Sequence, residues 1–324
     1  MITSPYHLQR CYALPRCRVC GSKAWVKIPW GNTWFCRTHF ISYFEKKVYQ
    51  TFSRYTPRIH KKLLFAVSGG KDSLAMLYSL AGKLAEEGYS LAVLFIDLGI
   101  KGYSEYARKA VEKAASDLGL SLIVVDLDKE HGFSIDELAS RKSTFSFGKP
   151  ICSLCGIVKR YLYNKVASDN GYDLVVTGHT LNDIYAFVMS NLTTGNLEDL
   201  VKLRPYVPGS ASFVARARPL FFNYEYENRL YTLARGIDVV LQPCPHSPLQ
   251  TGSLTTSFKK QLLELEKEHP GIGLMFMKNF LKKVIKSIEY SKPSQELVRC
   301  SICGMPSSSN PCSFCRIKLK LGKA

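Results

Sequence analysis

The sequence lacks any apolar run near the roughly 18 residues that a membrane-spanning helix needs. Its first residues, Met1-Ile2-Thr3-Ser4-Pro5-Tyr6-His7, lack the basic segment and apolar stretch of a secretory signal. The expectation is a soluble, cytoplasmic chain with no membrane association. Acidic residues are scarce: 26 Asp and Glu stand against 44 Lys and Arg, a formal charge of +18. That excess points to a polyanionic partner, most simply nucleic acid, because each phosphate neutralised by Lys or Arg releases condensed counterions. The basic residues gather at Arg54–Lys62, Lys259–Lys260, Lys278–Lys286 and Arg316–Lys323, a spread that suits a large partner better than a small ligand. Internal repeats and a Walker A loop are also absent. Disulfides are not expected either, because the eleven cysteines fall at metal-ligand spacings. Only Cys11 has no evident partner.

What is present is an alternation. Leu63-Leu64-Phe65-Ala66-Val67 is a short buried strand ending in glycines, and Leu74–Leu84 reads as a helix. Leu91–Asp97, Ser121–Asp126 and Asp173–Thr177 read as further strands; Tyr103–Leu118, Gly156–Ser168 and Asn182–Leu192 read as helices. Buried strands alternating with helices imply right-handed crossovers and a parallel sheet covered on both faces. Phe40, Tyr43, Phe44 and Val48 recur near a 3.6-residue period and predict a helix ahead of this core. Residues 127–150 read as a long polar connection, residues 193–250 as mixed and Pro-rich, and Phe258–Ile288 as helical and basic. A length of 324 residues fits one α/β core with smaller appendages.

The chemistry is carried first by Val67-Ser68-Gly69-Gly70-Lys71-Asp72-Ser73. It lies directly between a strand and a helix. Paired glycines let the backbone approach an anion, and the helix start adds favourable partial charge. Ser68, Lys71 and Ser73 supply further donors. Asp97 and Gly178-His179 stand at the carboxyl ends of strands, where open parallel sheets bind ligands.

The cysteines form three sets. Cys17-x2-Cys20 with Cys36-x2-His39, and Cys300-x2-Cys303 with Cys312-x2-Cys315, each complete a closed tetrahedral site, so two structural zinc ions are expected. These knuckles are also expected to present Trp25, Trp30, Trp34, Arg316 and Lys318 to nucleic acid. Cys152, Cys155 and Cys244 form an internal trio. Spacing leaves three readings open: a third zinc site completed by His246, a persulfide-carrying Cys152–Cys155 pair, or a [4Fe-4S] cluster with one iron free.

Ser68-Gly69-Gly70-Lys71-Asp72-Ser73 resembles the SGGxDS signature of the PP-loop ATP pyrophosphatases, whose fold is an adenine nucleotide alpha hydrolase-like parallel-sheet core. Gly148-Lys-Pro-Ile-Cys-Ser-Leu-Cys-Gly156 and the Cys300–Cys315 segment are similar to the TtuA-type tRNA 2-thiouridine synthetases, over nearly the whole chain from Cys17 to Arg316. The resemblance implies an N-terminal zinc finger at 1–45, a catalytic domain with the iron–sulfur site at 46–250, a basic helical segment at 251–299 and a C-terminal zinc finger with a basic tail at 300–324. It implies ATP with Mg2+ as cofactors, phosphates on Gly69–Ser73, adenosine against Ala66, the second strand near Ala92, and Gly178, and Asp97 among the cofactor-binding residues. Lys71 and Lys159 are the cations for the crowded charge at the α-phosphate. Asp183 matches a catalytic aspartate that could orient the uridine or relay a proton.

In this family the trio Cys152, Cys155 and Cys244 holds a [4Fe-4S] cluster whose free iron is thought to carry the sulfur. The implied reaction is adenylation of a tRNA uridine O2, expected at T-loop position 54, followed by sulfur transfer and loss of AMP. The implied sulfur source is a thiocarboxylated ubiquitin-like carrier or free sulfide, and the implied assembly is a homodimer. The motif Gly178-His-Thr-Leu-Asn-Asp183 departs from the family at Thr180 and Asn182, so a metal role there is not expected. His179 is read as a packed loop residue. Competing readings are an anticodon wobble-uridine thiolase, a lysidine-type ligase, a cytidine 2-thiolase, and a zinc-dependent tRNA-binding module with a degenerate nucleotide site.

Overall fold

A computed structural model describes residues 15–141, 148, 150–210, 213–247, 252–289 and 297–323. Cys11 lies outside them, as does most of the predicted 142–150 stretch. The described chain opens with a hairpin, β1 (Val26–Ile28) and β2 (Thr33–Phe35), turned at Asn32. Helix α1 (Arg37–Tyr55) buries Phe40, Phe44 and Val48, as their period predicts. The core then runs β3 (Lys62–Ala66), α2 (Lys71–Glu86), β4 (Ser90–Asp97), α3 (Ser104–Asp117) and β5 (Ser121–Asp126).

Two short helices follow, α4 (Leu127–His131) and α5 (Ile135–Ser140). They replace the first part of the predicted loop, for a local reason. Asp126 accepts from the Lys129 amide and Ser134 from the Glu137 amide, so each side chain satisfies an otherwise orphaned N–H at a helix start. Helix α6 (Ile151–Asp169) is longer than expected. It starts directly after Pro150 and takes Cys152 and Cys155 into its first turns rather than leaving them ahead of it.

The chain continues with β6 (Leu174–Thr177), α7 (Leu181–Thr193) and α8 (Leu197–Leu200). The mixed region then resolves into β7 (Tyr206–Val207), β8 (Ala215–Ala217) and α9 (Glu225–Arg235). Helices α10 (Leu254–Glu268) and α11 (Ile272–Asn279) are separated at Pro270-Gly271, where Gly271 has φ +95°. A π-helical stretch at Phe280–Ile285 leads into α12 (Lys286–Glu289). The second knuckle closes the chain with β9 (Val298–Arg299), β10 (Pro306–Ser307) and α13 (Ser313–Lys320).

The central sheet has the order β5-β4-β3-β6-β8-β7. All neighbours are parallel except β7 with β8, so the sheet is mixed at one edge rather than wholly parallel. The chain steps outward from β3 to β5, then returns to β6 on the other side of β3. The reversal between β3 and β6 is a topological switch point, and it opens a crevice at the carboxyl ends of those strands.

Side chains alternate between the faces. Leu63, Phe65, Val93 and Val176 pack with α1, α2 and α3. Leu64, Ala66, Leu94 and Val175 pack with α6, and this cluster also takes in Phe314 and three of the C-terminal cysteines. Phe314 stacks on Tyr161 of α6, with ring centroids 3.8 Å apart and planes within 4°. Phe314→Ala is expected to lower unfolding free energy by about 3–5 kcal/mol, read from the urea midpoint. An unchanged midpoint would contradict this docking.

Candidate active site at the carboxyl edge of the sheet

The phosphate loop is folded back on itself. The Ser68 amide donates to Ser73 Oγ at 3.1 Å, and Ser73 Oγ donates to the Gly70 carbonyl at 3.0 Å. Gly69 has φ +78°, and a Cβ there would stand 2.7 Å from the Ala107 carbonyl. Gly178 meets the loop from the next strand, where a Cβ would stand 3.0 Å from Ser73 Cα. Only glycine fits either position. A pocket beside the loop is lined by Ser68, Phe95, Ile96, Tyr103, Lys159 and Tyr163. A roomier cavity lies at the amino edge of the sheet, by His60, Asp173 and Val214, away from this chemistry.

Most predicted positions reach this edge. Ala66 ends β3, and Asp97 ends β4 with its carboxylate accepting from the Gly99 amide at 3.0 Å. Ala92 does not. It is 1% exposed and pairs with Leu64 and Ser121 deep in the sheet. At about 3.3 Å per residue, it lies about 13 Å along the strand from Ile96, which lines the pocket in its place.

Charged groups interlock at the loop. Lys71 Nζ lies 2.7 Å from Asp72 and 3.7 Å from Glu225; Lys259 contacts Asp183 and, at 2.7 Å, Glu225. Asn228 donates to Asp72 at 2.8 Å. Burial pushes the Asp72 carboxyl up, and Lys71 only partly offsets this. Burial also works to raise the Asp183 carboxyl, but Lys259 and further donors outweigh it and hold it low. Asp183 also closes a capping box, accepting from the Thr180 amide at 2.9 Å while its own amide donates to Thr180 Oγ1. Asn182 is buried and accepts from the Glu225 amide at 3.0 Å, so it holds the start of α9. His179 is pushed down to about 3 by burial and by Arg218, and is neutral. Neither Lys259 nor Glu225 is singled out as a site residue by the sequence. Lys259 was visible only as part of a basic cluster, and nothing in the linear pattern of Glu225 marks its contact with Lys71.

The cysteine sets differ in geometry. In each knuckle, four ligand atoms lie within 4.8 Å of one another. Thiolates sharing one ion at Zn–S of about 2.3 Å stand about 3.8 Å apart in a tetrahedron. Cys20 and Cys36 are 3.9 Å apart, and Cys303 and Cys312 are 3.8 Å apart. His39 Nδ1 lies 3.2 Å from Cys36 and 3.5 Å from Cys17. Burial acts to raise the Cys17 and Cys300 thiols, but backbone amides prevail and bring each to about 6. The knuckle tryptophans divide: Trp30 packs at a tilt against Tyr224, with ring centroids 4.1 Å apart, whereas Trp25 is exposed.

The internal trio is not drawn into such a tetrahedron, yet its members act on one another. Burial raises the Cys152 thiol first, with Cys155 and Cys244 adding to it. Cys155 is the largest influence on Lys159, whose ammonium is held well above its ordinary range. The His246 imidazole sits on Asp136 at 2.6 Å, and only its carbonyl faces Cys152, at 2.8 Å. The third-zinc reading therefore loses its fourth ligand. The looser trio suits a group larger than one ion, such as a cluster in which each thiolate takes its own iron.

Comparison with known proteins decides the family. The PP-loop domain family matches residues 42–227. A tRNA-5-methyluridine(54) 2-sulfurtransferase of Pyrococcus horikoshii is 37% identical over 93% of both chains. The namesake protein of Thermotoga maritima is 36% identical over 95% of this chain and 97% of its own. The chain belongs to the PP-loop family, in its tRNA-sulfurtransferase branch. The U34-tRNA thiolase NcsA of Methanococcus maripaludis, solved with its [4Fe-4S] cluster, superposes with a TM-score of 0.77 at 26% identity, over 96% of this chain and 97% of that one.

Lys259→Ala removes the main cation holding Asp183 ionised. Its carboxyl pKa, depressed in the intact protein, is expected to rise. The charged form will then be lost at higher pH on acidification, and the acid limb of the activity profile will move upward. An unmoved acid limb would count against the Lys259–Asp183 coupling.

Proposed function

We propose that this chain is an ATP-dependent tRNA 2-thiouridine synthetase. The single observation that carries the reading is convergence: the phosphate loop and Lys159 line one pocket at the carboxyl edge of the sheet, and Cys155 and Cys244 of the trio act on that lysine. Both sulfurtransferase relatives carry uridine 54 in their names, which favours the T-loop over the anticodon position named for NcsA.

ATP phosphates rest on the amides of Gly69–Ser73, with Lys71 beside them. The adenosine lies against Ala66, Ile96 and Gly178. Lys71 and Lys259 face Asp72, Asp183 and Glu225, so the site carries a carboxylate in excess before the nucleotide enters. Mg2+ would offset that surplus. The uridine O2 attacks the α-phosphate, pyrophosphate leaves, and Lys159 and Lys71 stabilise the charge that builds there. Asp183, ionised beside Lys259, accepts a hydrogen bond from the base and orients it. Cys152, Cys155 and Cys244 would hold the [4Fe-4S] cluster, which supplies an iron site for sulfide. Attack of sulfur at C2 then expels AMP. The four-ligand sets Cys17, Cys20, Cys36, His39 and Cys300, Cys303, Cys312, Cys315 would each take one zinc. The sulfur donor is a thiocarboxylated carrier protein or sulfide, the assembly a homodimer, and the setting the reducing cytoplasm that thiolates require.

Anaerobically purified protein is expected to contain two zinc ions and one four-iron cluster per chain. Given ATP, sulfide and tRNA, it is expected to form AMP and 2-thiouridine that maps to the T-loop. Lys159→Ala and Cys244→Ala should each lower turnover by more than about 100-fold, in the range seen for loss of positioned charge stabilisation. Full activity in Cys244→Ala would sink the cluster assignment, and thiolation confined to the anticodon would transfer the reading to the wobble position.

A further inference from the structure

Beside the proposed catalytic groups lie three arginines that the adenylation and sulfur-transfer chemistry does not use. Arg216 is the middle residue of β8 and pairs in register with Val175. Its neighbours Ala215 and Ala217 belong to the cluster on the opposite face, so alternation turns Arg216 toward α6. Arg218 follows two residues later on the same side. Arg160 comes from α6 itself, next to Lys159. Its guanidinium lies across Gly156, with Nη1 3.1 Å from where a Cβ would stand, so the missing side chain makes room for it.

Arg218 is 5% exposed. Its Nη1 braces the preceding loop by donating to the Lys202 and Arg204 carbonyls at 2.9 and 2.6 Å, but its buried Nε has no acceptor. Among the described residues, none of the three arginines makes an ion pair with a carboxylate. Asp199, the one carboxylate acting on Arg160, is paired with Lys202 at 2.7 Å. Burial lowers all three, and repulsion from neighbouring guanidiniums adds to it at Arg216 and at Arg218, the latter brought down to about 9. Grouped guanidinium charge without a counter-charge is costly, and a phosphate accepts such forks well. ATP phosphates do not fill this role. Their loop follows β3, and β8 lies two strands away, about 10 Å at 4.8 Å per strand.

We infer that Arg160, Arg216 and Arg218 form a phosphate subsite that grips the RNA backbone next to the target uridine and so presents the base to Asp183 and the nucleotide. The inference rests on the reading that tRNA is the substrate. A three-arginine grip fixes a backbone phosphate without reading sequence, which suits a site whose chemistry acts on one extruded base.

The test measures binding of an unmodified tRNA transcript to the full-length holoprotein across a KCl series. Arg216→Gln and Arg160→Gln are each expected to weaken tRNA binding about tenfold and to reduce the slope of log K against log salt by about 0.7–0.9. Mg-ATP affinity should stay within about twofold, as expected if the subsite is separate from the phosphate loop. Arg216→Lys should keep the slope. Methylphosphonate linkages flanking the uridine should weaken wild-type binding and add little in Arg216→Gln. Wild-type protein that binds no tRNA would overturn the substrate reading and the subsite with it. Wild-type binding with unchanged affinity and slope in both Gln variants would overturn the subsite alone. Normal tRNA binding with a loss confined to turnover on a thiocarboxylated protein donor would also overturn it, reassigning the arginines to a carboxylate tail.

Discussion

The site depends on a contact between backbones. Parallel pairing of β3 with β6 brings Gly178 against Ser73 so closely that a Cβ would stand 3.0 Å from Cα and 3.1 Å from the amide. On the other side of the loop, Gly69 meets the Ala107 backbone. The phosphate loop is thus wedged between the end of β6 and helix α3, with its amides aimed by packing rather than by side chains. Because Gly178 opens the turn into α7, the same contact fixes Asp183 five residues later. The anion cradle and the carboxylate beside it are two consequences of one close approach.

Charge then refines what packing sets. Lys71, Lys259, Asp72, Asp183 and Glu225 form a chain in which Glu225 touches both lysines. Lys259 arrives from α10, well beyond the matched PP-loop region, so the ionised state of Asp183 is maintained from outside the core fold. Asn182 and Asn228 tie the same acids to the backbone of α9 and to the loop. An aspartate at position 182 would leave the Glu225 amide facing a further charge in a place already rich in carboxylates. The asparagine serves that amide without adding one.

Local patterns were legible where one residue type has few uses. Ser68–Ser73 between a strand and a helix, and cysteine pairs two residues apart, declare themselves in the sequence. Strands β3 to β6 were legible because continuous apolar runs have few alternatives. Strands β7 and β8 were not: at two and three residues, one of them carrying Arg216, they fall below any periodic signal. Helix α9 hid within a Pro-rich stretch, although at its start Glu227 accepts from the Tyr224 amide at 2.9 Å. Ala92 was misplaced because a strand's sequence does not say how far a residue stands from the sheet edge. Lys259 and Glu225 acquire meaning only by contacts spanning 34 residues or more, which no local rule contains.

Helix α6 gathers these strands of the argument. One of its flanks packs on the sheet through Leu154, Val158 and Leu162, while Tyr161 stacks on Phe314 between the cysteines of the C-terminal knuckle. Its first turns carry Cys152 and Cys155, its middle Lys159 and Arg160. The knuckle's four thiolates lie close enough to share one ion, and binding there is folding free energy. The knuckle holds Phe314 stacked on Tyr161 and so braces α6 against the sheet. Cys152, Cys155, Lys159 and Arg160 share that one rigid rod. The two kinds of cysteine set thus divide the labour. The closed knuckle packs against the helix, whereas the trio stays open, with the His246 imidazole turned to Asp136.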